Sequence, residues 1–148
     1  MRHVSKFSHD DGGSALIEAA IAIPVALTLL VGIVDFGLAY VALATAQKST
    51  QDAVRYLTTL PPGAICGWGL DRARNLALYG SIDNTGTPLV RNWTASQITL
   101  ATPSCPASTA STIRIKADVP YNPMMWTAVG LPSSITMKVD YEARWIGG

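Results

Sequence analysis

From Ala19 to Val34 the chain carries no charged side chain, and after Asp35 its apolar character resumes and runs to Ala46. An α-helix needs about 20 apolar residues to cross the hydrocarbon of a bilayer, so this run reads as membrane-spanning rather than as a buried core helix. At its entrance stands Gly13-Ser14-Ala15-Leu16-Ile17-Glu18, a lone carboxylate five residues after a glycine. An ionised side chain at the centre of a membrane helix costs about 2.5–3.5 kcal/mol on insertion scales, so an acid here calls for a partner or a function. An amine released by cutting after Gly13 would be such a partner.

The remainder divides around this helix. Residues 1–13 form a polar leader that holds both histidines, His3 and His9. Residues 14–46 are the transmembrane segment. Residues 47–60 extend it as an amphipathic helix, with Gln47, Lys48, Gln51, Asp52 and Arg55 on one side and Ala46, Ala53, Leu57 and Leu60 on the other. Pro61-Pro62-Gly63 stops the helix. Drawn as one element from Ser14 to Leu60, it would reach roughly 70 Å, about twice the hydrocarbon thickness. Residues 61–148 then make a head of one small domain.

Within the head, Asp71 to Tyr79 has helical spacing, and Asp83-Asn84-Thr85-Gly86 marks a turn. A strand is expected through Ile98 and Leu100. Two clearer ones follow. Ile113, Ile115, Ala117 and Val119 alternate with Thr112, Arg114, Lys116 and Asp118; Ile135, Met137, Val139, Tyr141, Ala143 and Trp145 alternate with polar residues. Period two over such lengths predicts strands with one buried and one wet face. The fold class is α+β: a long N-terminal helix packed on a small antiparallel sheet.

Composition narrows the function. A net charge of +1 without a basic cluster disfavours nucleic acid as a partner. Neither histidine lies in the head, so no Ser-His-Asp or Cys-His pair can form there. Asp118, Asp140 and Glu142 fall on polar strand faces, where solvation is the simpler reading than paired acid–base work. There is no Gly-rich phosphate loop. The expectation is a chain that is not an enzyme, with no cofactor and no small-molecule substrate. Cys66 and Cys105 are the two cysteines. Outside a membrane an even pair points to one disulfide, and the alternative is two buried small apolar residues. Two thiols without a nearby histidine fall short of a zinc ligand set.

The residues that carry a family resemblance are Gly13 and Glu18, Pro24 six residues later, and the block Gly32-Ile33-Val34-Asp35-Phe36-Gly37. Gly-(four residues)-Glu is similar to the cleavage signal of type IV prepilins, and the wider run resembles the TadE/TadF-like pseudopilins of the Flp/Tad pilus machinery. The resemblance implies a pilin-like plan, cleavage between Gly13 and Ser14 by a prepilin peptidase, and a role in assembling or priming an adhesive pilus. It also implies other Tad pilus subunits, an inner-membrane platform and membrane lipid as partners. Arg2 and Lys6 precede the span, which by the positive-inside rule leaves the N-terminus cytoplasmic and the head periplasmic. Alternatives are a minor pseudopilin of a type II secretion system, or an exported binding protein whose ordinary signal peptide is cut near Ala44 or Ala46. In a bacterial-type protein the glycosylation pattern Asn92-Trp93-Thr94 is discounted.

Three features carry two readings each. Pro24 is a functional kink or a tolerated one, and the resemblance favours the functional kink. Asp35 either meets a partner's cation or marks the outer edge of the bilayer, and the edge reading is preferred. The segment Tyr121-Asn122-Pro123-Met124-Met125-Trp126 is a loop that either folds over the sheet or presents a docking patch or membrane-interface anchor.

Overall fold

The computed structural model describes residues 11–101, 112–124, 126, 130 and 132–145. Helix α1 runs without a break from Asp11 to Thr58. It starts three residues before the expected Ser14. Its finish comes two residues before the expected Leu60, in a tightened turn where Thr59 N–H bonds to Tyr56 O and Leu60 N–H to Leu57 O. Pro61 and Pro62 then forbid continuation. The free Leu60 carbonyl receives the indole N–H of Trp145 at 3.1 Å, so the last strand's exit caps the first helix.

A short turn, α2 (Pro62–Ala64), leads through a π-helical turn at Ile65–Gly69 into α3 (Leu70–Tyr79). The turn depends on Gly69, where an added Cβ would lie 2.7 Å from both Ala64 O and Leu60 Cδ1. Helix α3 closes on Gly80, which adopts φ +72° and donates its N–H to Leu76 O.

Strands β1 (Ile98–Ala101), β2 (Thr112–Tyr121) and β3 (Ile135–Arg144) form an antiparallel sheet in that order. Ile98 faces Ala117, and Ile115 faces Tyr141. The alternation expected from sequence is the one observed: Ile113, Ile115, Ala117 and Val119 are buried while Thr112, Arg114, Lys116 and Asp118 are exposed. On the wet face the Arg114 guanidinium forks onto the Asp140 carboxylate, and that hydrogen bond holds Asp140 below its ordinary range.

The dry face packs on α1, whose buried residues Ala46, Thr50, Ala53, Val54 and Leu57 recur at helical spacing. Gln51 adds a hydrogen bond to the Tyr141 hydroxyl at 3.0 Å. Asn92-Trp93-Thr94 has a structural role. Asn92 takes φ +62°, a conformation asparagine tolerates, which turns Trp93 into the core, and Thr94 caps the following 3-10 turn together with Gln97. Ile115 lies fully buried on the central strand. Ile115→Ala should therefore lower the stability of the head by about 2–5 kcal/mol. Urea unfolding of the detergent-solubilised chain, followed by tryptophan emission, measures the loss.

Candidate functional site at the bare helix and its junction with the head

Two regions of α1 behave differently. From Gly13 to Leu30 every residue is exposed, including Leu16, Ile21, Leu27 and Leu30. A helix that is apolar all round and covered by nothing has lipid as its natural surroundings. It is the helix, among the described residues, that is long and apolar enough to cross a membrane. From Asp35 onward the head covers one side, with Asp35, Ala46, Ser49, Ala53 and Leu57 buried in sequence. The stretch with no buried residue, Ser14 to Val34, is about 21 residues and about 31 Å long, which equals the hydrocarbon thickness of a bilayer. The sequence boundary at Ala46 is therefore longer than the uncovered length by about three turns.

Gly13 and Ser14 both lie inside the first turns of α1 and are exposed. Glu18 is exposed one turn further and makes no ion pair or hydrogen bond among the described residues. Pro24 sits within the continuous helix. Its missing N–H leaves the Ala20 carbonyl without the usual bond. Thr28 Oγ1 donates to Pro24 O at 2.8 Å, a side-chain bond of the kind that accompanies helix bending.

Asp35 stands where the uncovered part of α1 gives way to the part packed on the head. It is 4% exposed, and its partners come from the head. The Tyr121 hydroxyl donates to Asp35 Oδ1 at 2.6 Å and lies 2.9 Å from the Asp35 carbonyl. The Met124 backbone N–H donates to Oδ2 at 3.1 Å. Both carboxylate oxygens are thus held, and one acid fixes the end of β2 and the following loop to the helix. Burial, together with the hydrogen bond to Asp35, pushes the Tyr121 hydroxyl up from 10.0 to about 12.

Around this junction lies an apolar groove of about 450 Å³ between α1 and the head, lined by Gly32, Phe36, Ala39 and Tyr40 on one side and Trp126 and Met137 on the other. Cys66 lies half-buried on the π-helical turn at the far end of the head, beside Trp68, whose ring carries the Arg72 guanidinium at 4.4 Å. Cys105 falls outside the described residues. Among the described residues, no three His, Cys, Asp or Glu side chains come together as a metal site would require.

Spacing along the chain could not reveal the junction, because Asp35 and Tyr121 stand 86 residues apart. One signal was available. Tyr121 continues the inward phase of Ile113 to Val119, and β2 includes it, two residues beyond the expected end at Val119 and in place of the expected loop.

The alkaline behaviour of Tyr121 gives a test. Below about pH 10 the hydroxyl is protonated in both folded and unfolded chains, and its contribution to stability is complete. Between 10.0 and about 12 the unfolded chain ionises first, so stability falls as pH rises. One of the five tyrosines should ionise late in a phenolate absorbance titration, and Tyr121→Phe should remove that late step. The same substitution leaves the Asp35 carboxylate one donor short and should cost about 1–3 kcal/mol.

No curated protein and no solved structure matches the chain. A family model described as TadE-like protein matches residues 13–55. The match begins at Gly13, takes in Glu18, Pro24 and Asp35, and ends in the last turn of α1, so the chain is similar to TadE-like proteins over its N-terminal helix.

Proposed function

We propose that the chain is a minor pseudopilin that supports assembly or priming of a Tad adhesive pilus. It would be held in the inner membrane by α1, with its N-terminus cytoplasmic and its head periplasmic. The observation that carries this reading is Glu18: a carboxylate in the TadE-like segment, on a helix exposed all round, with no partner among the described residues. An acid placed in hydrocarbon calls for a counter-charge, and the amine freed by cutting before Ser14 stands four residues away on the same helix or on a neighbouring copy. In this reading a prepilin peptidase cuts between Gly13 and Ser14. Both residues are helical here, so the first turn must unwind for cleavage, and Gly12-Gly13 lowers the cost of doing so.

The exported binding protein with an ordinary signal peptide fits the packing less well. A cut after Ala46 would sever α1 at a fully buried residue and remove Asp35 from Tyr121 and Met124. A type II secretion pseudopilin shares the anchor, and the TadE-like match favours the Tad assignment over it. The role is structural, and the chain is not an enzyme. In the oxidising compartment of the head, Cys66 and Cys105 form one disulfide in this reading. It closes a loop of roughly forty residues and stabilises the head by about 3–4 kcal/mol in the chain-entropy model.

Two measurements test this. Mass spectrometry of the membrane-extracted protein should find Ser14 as the mature N-terminus and two fewer hydrogens than the reduced chain. An N-terminus at Gln47 would mean a signal peptide, and an intact residue 13–14 bond an uncleaved anchor. Glu18→Gln should leave insertion and head stability unchanged and reduce crosslinking to pilus subunits. Normal piliation in that strain would remove the role assigned to Glu18.

A further inference from the structure

The exposed apolar surface of α1 does not stop where the uncovered helix stops. Phe36 (76% exposed), Leu38, Tyr40 (66%) and Val41 continue it beside the head. Ser14 to Val34 already fills the hydrocarbon thickness, so these residues stand up to about 10 Å beyond it, in the headgroup layer. The head reaches down to that same level. Tyr121 and the backbone of Met124 are bonded to Asp35, the first residue past the uncovered stretch. Met124, 76% exposed, is thereby held at the bilayer surface, and Trp126 lines the groove opposite Phe36 and Tyr40.

We propose that this face of the head is seated in the adjacent leaflet of the bilayer, with phospholipid filling the groove between α1 and the head. The inference rests on the membrane-anchor reading above and adds the orientation of the head. Continuity of the groove with the lipid-facing helix identifies the occupant: Gly32 and Phe36 belong to both surfaces. Tyrosine and tryptophan beside apolar side chains suit the layer between headgroups and acyl chains, where an apolar ring and a polar tip are both satisfied. The groove-facing groups are apolar or aromatic apart from Asp35, whose carboxylate oxygens are both already bonded. Seating therefore requires no anionic lipid.

The test uses the full chain in phosphatidylcholine vesicles that carry bromine on their acyl chains. The Trp126 signal is the emission of the native chain minus that of Trp126→Phe. Trp93 and Trp145 are buried, and Trp68 lies on the turn that follows the far end of α1, so all three serve as internal references. Bromine near the glycerol end should reduce the Trp126 signal to half or less, and bromine near the methyl end should reduce it less. The result should be the same with anionic lipid added and across protein-to-lipid ratios. Asp35→Ala should weaken the quenching while the chain still resists alkaline extraction from the vesicles. Resistance to extraction with an unquenched Trp126 would overturn the seating and leave the anchor standing. Quenching that vanishes as protein density rises would mean that a second copy covers the face, and would also overturn it. A chain that is stripped off by alkali would end both readings.

Discussion

One helix serves two environments, and Asp35 sits where they meet. Toward the N-terminus, α1 is bare and apolar on every side; beyond Asp35 the head covers it and its buried residues fall into one stripe. A helix that ended at the membrane surface would leave the head on a tether. Here the stripe Ala46, Thr50, Ala53, Val54 and Leu57 is part of the head's core, so the sheet cannot tilt away from the helix without exposing Ile113, Ile115 and Val119 to water. The anchor and the core are parts of one element.

The contacts at Asp35 are what make its position tolerable. A carboxylate left buried without partners would cost several kcal/mol or take up a proton. Tyr121 and Met124 donate to both oxygens, so the side chain is met by hydrogen bonds from the head. The direction of dependence runs both ways. The acid needs the head to be docked, and the loop after β2 needs the acid to hold Met124 at the level of the helix surface. At the opposite end of the head, Trp145 donating to Leu60 O does the corresponding work for the helix terminus. Helix α1 is thus held by the head at both limits of their contact.

Most of the architecture was legible in the sequence because it rests on local rules. The proline pair ending α1, the period-two strands and the amphipathic extension need no knowledge of partners. The differences arise where distant groups decide. Strand β2 continues to Tyr121, paired with Ile135, and the acceptor its hydroxyl finds on Asp35 is one that no local pattern contains. Hydropathy alone does not separate an exposed alanine from one facing a sheet: Ala44 is exposed and Ala46 fully buried. Asn92-Trp93-Thr94 matches a modification pattern, yet what fixes the site is a left-handed turn that carries Trp93 into the core. Glu18 stands out by its spacing from Gly13 and by the prepilin resemblance, and among the described residues no ion pair or hydrogen bond answers it.

Glu18 and Asp35 therefore divide the work of α1. Both are acids on an apolar helix, about 25 Å apart along its axis at 1.5 Å per residue. Asp35 is satisfied inside the chain, so its information is spent on fixing the head against the helix. Glu18 has no such partner among the described residues, and in the membrane-anchor reading proposed above an acid in hydrocarbon favours whatever association brings a cation to it. A head held rigidly to the helix at Asp35 converts a contact made at Glu18 into a defined position of the sheet some 25 Å or more away, because α1 is continuous between the two acids. A flexible connection at residue 35 would lose that correspondence. In the pseudopilin reading proposed above, the satisfied acid is what would let Glu18 specify how a neighbouring subunit is placed.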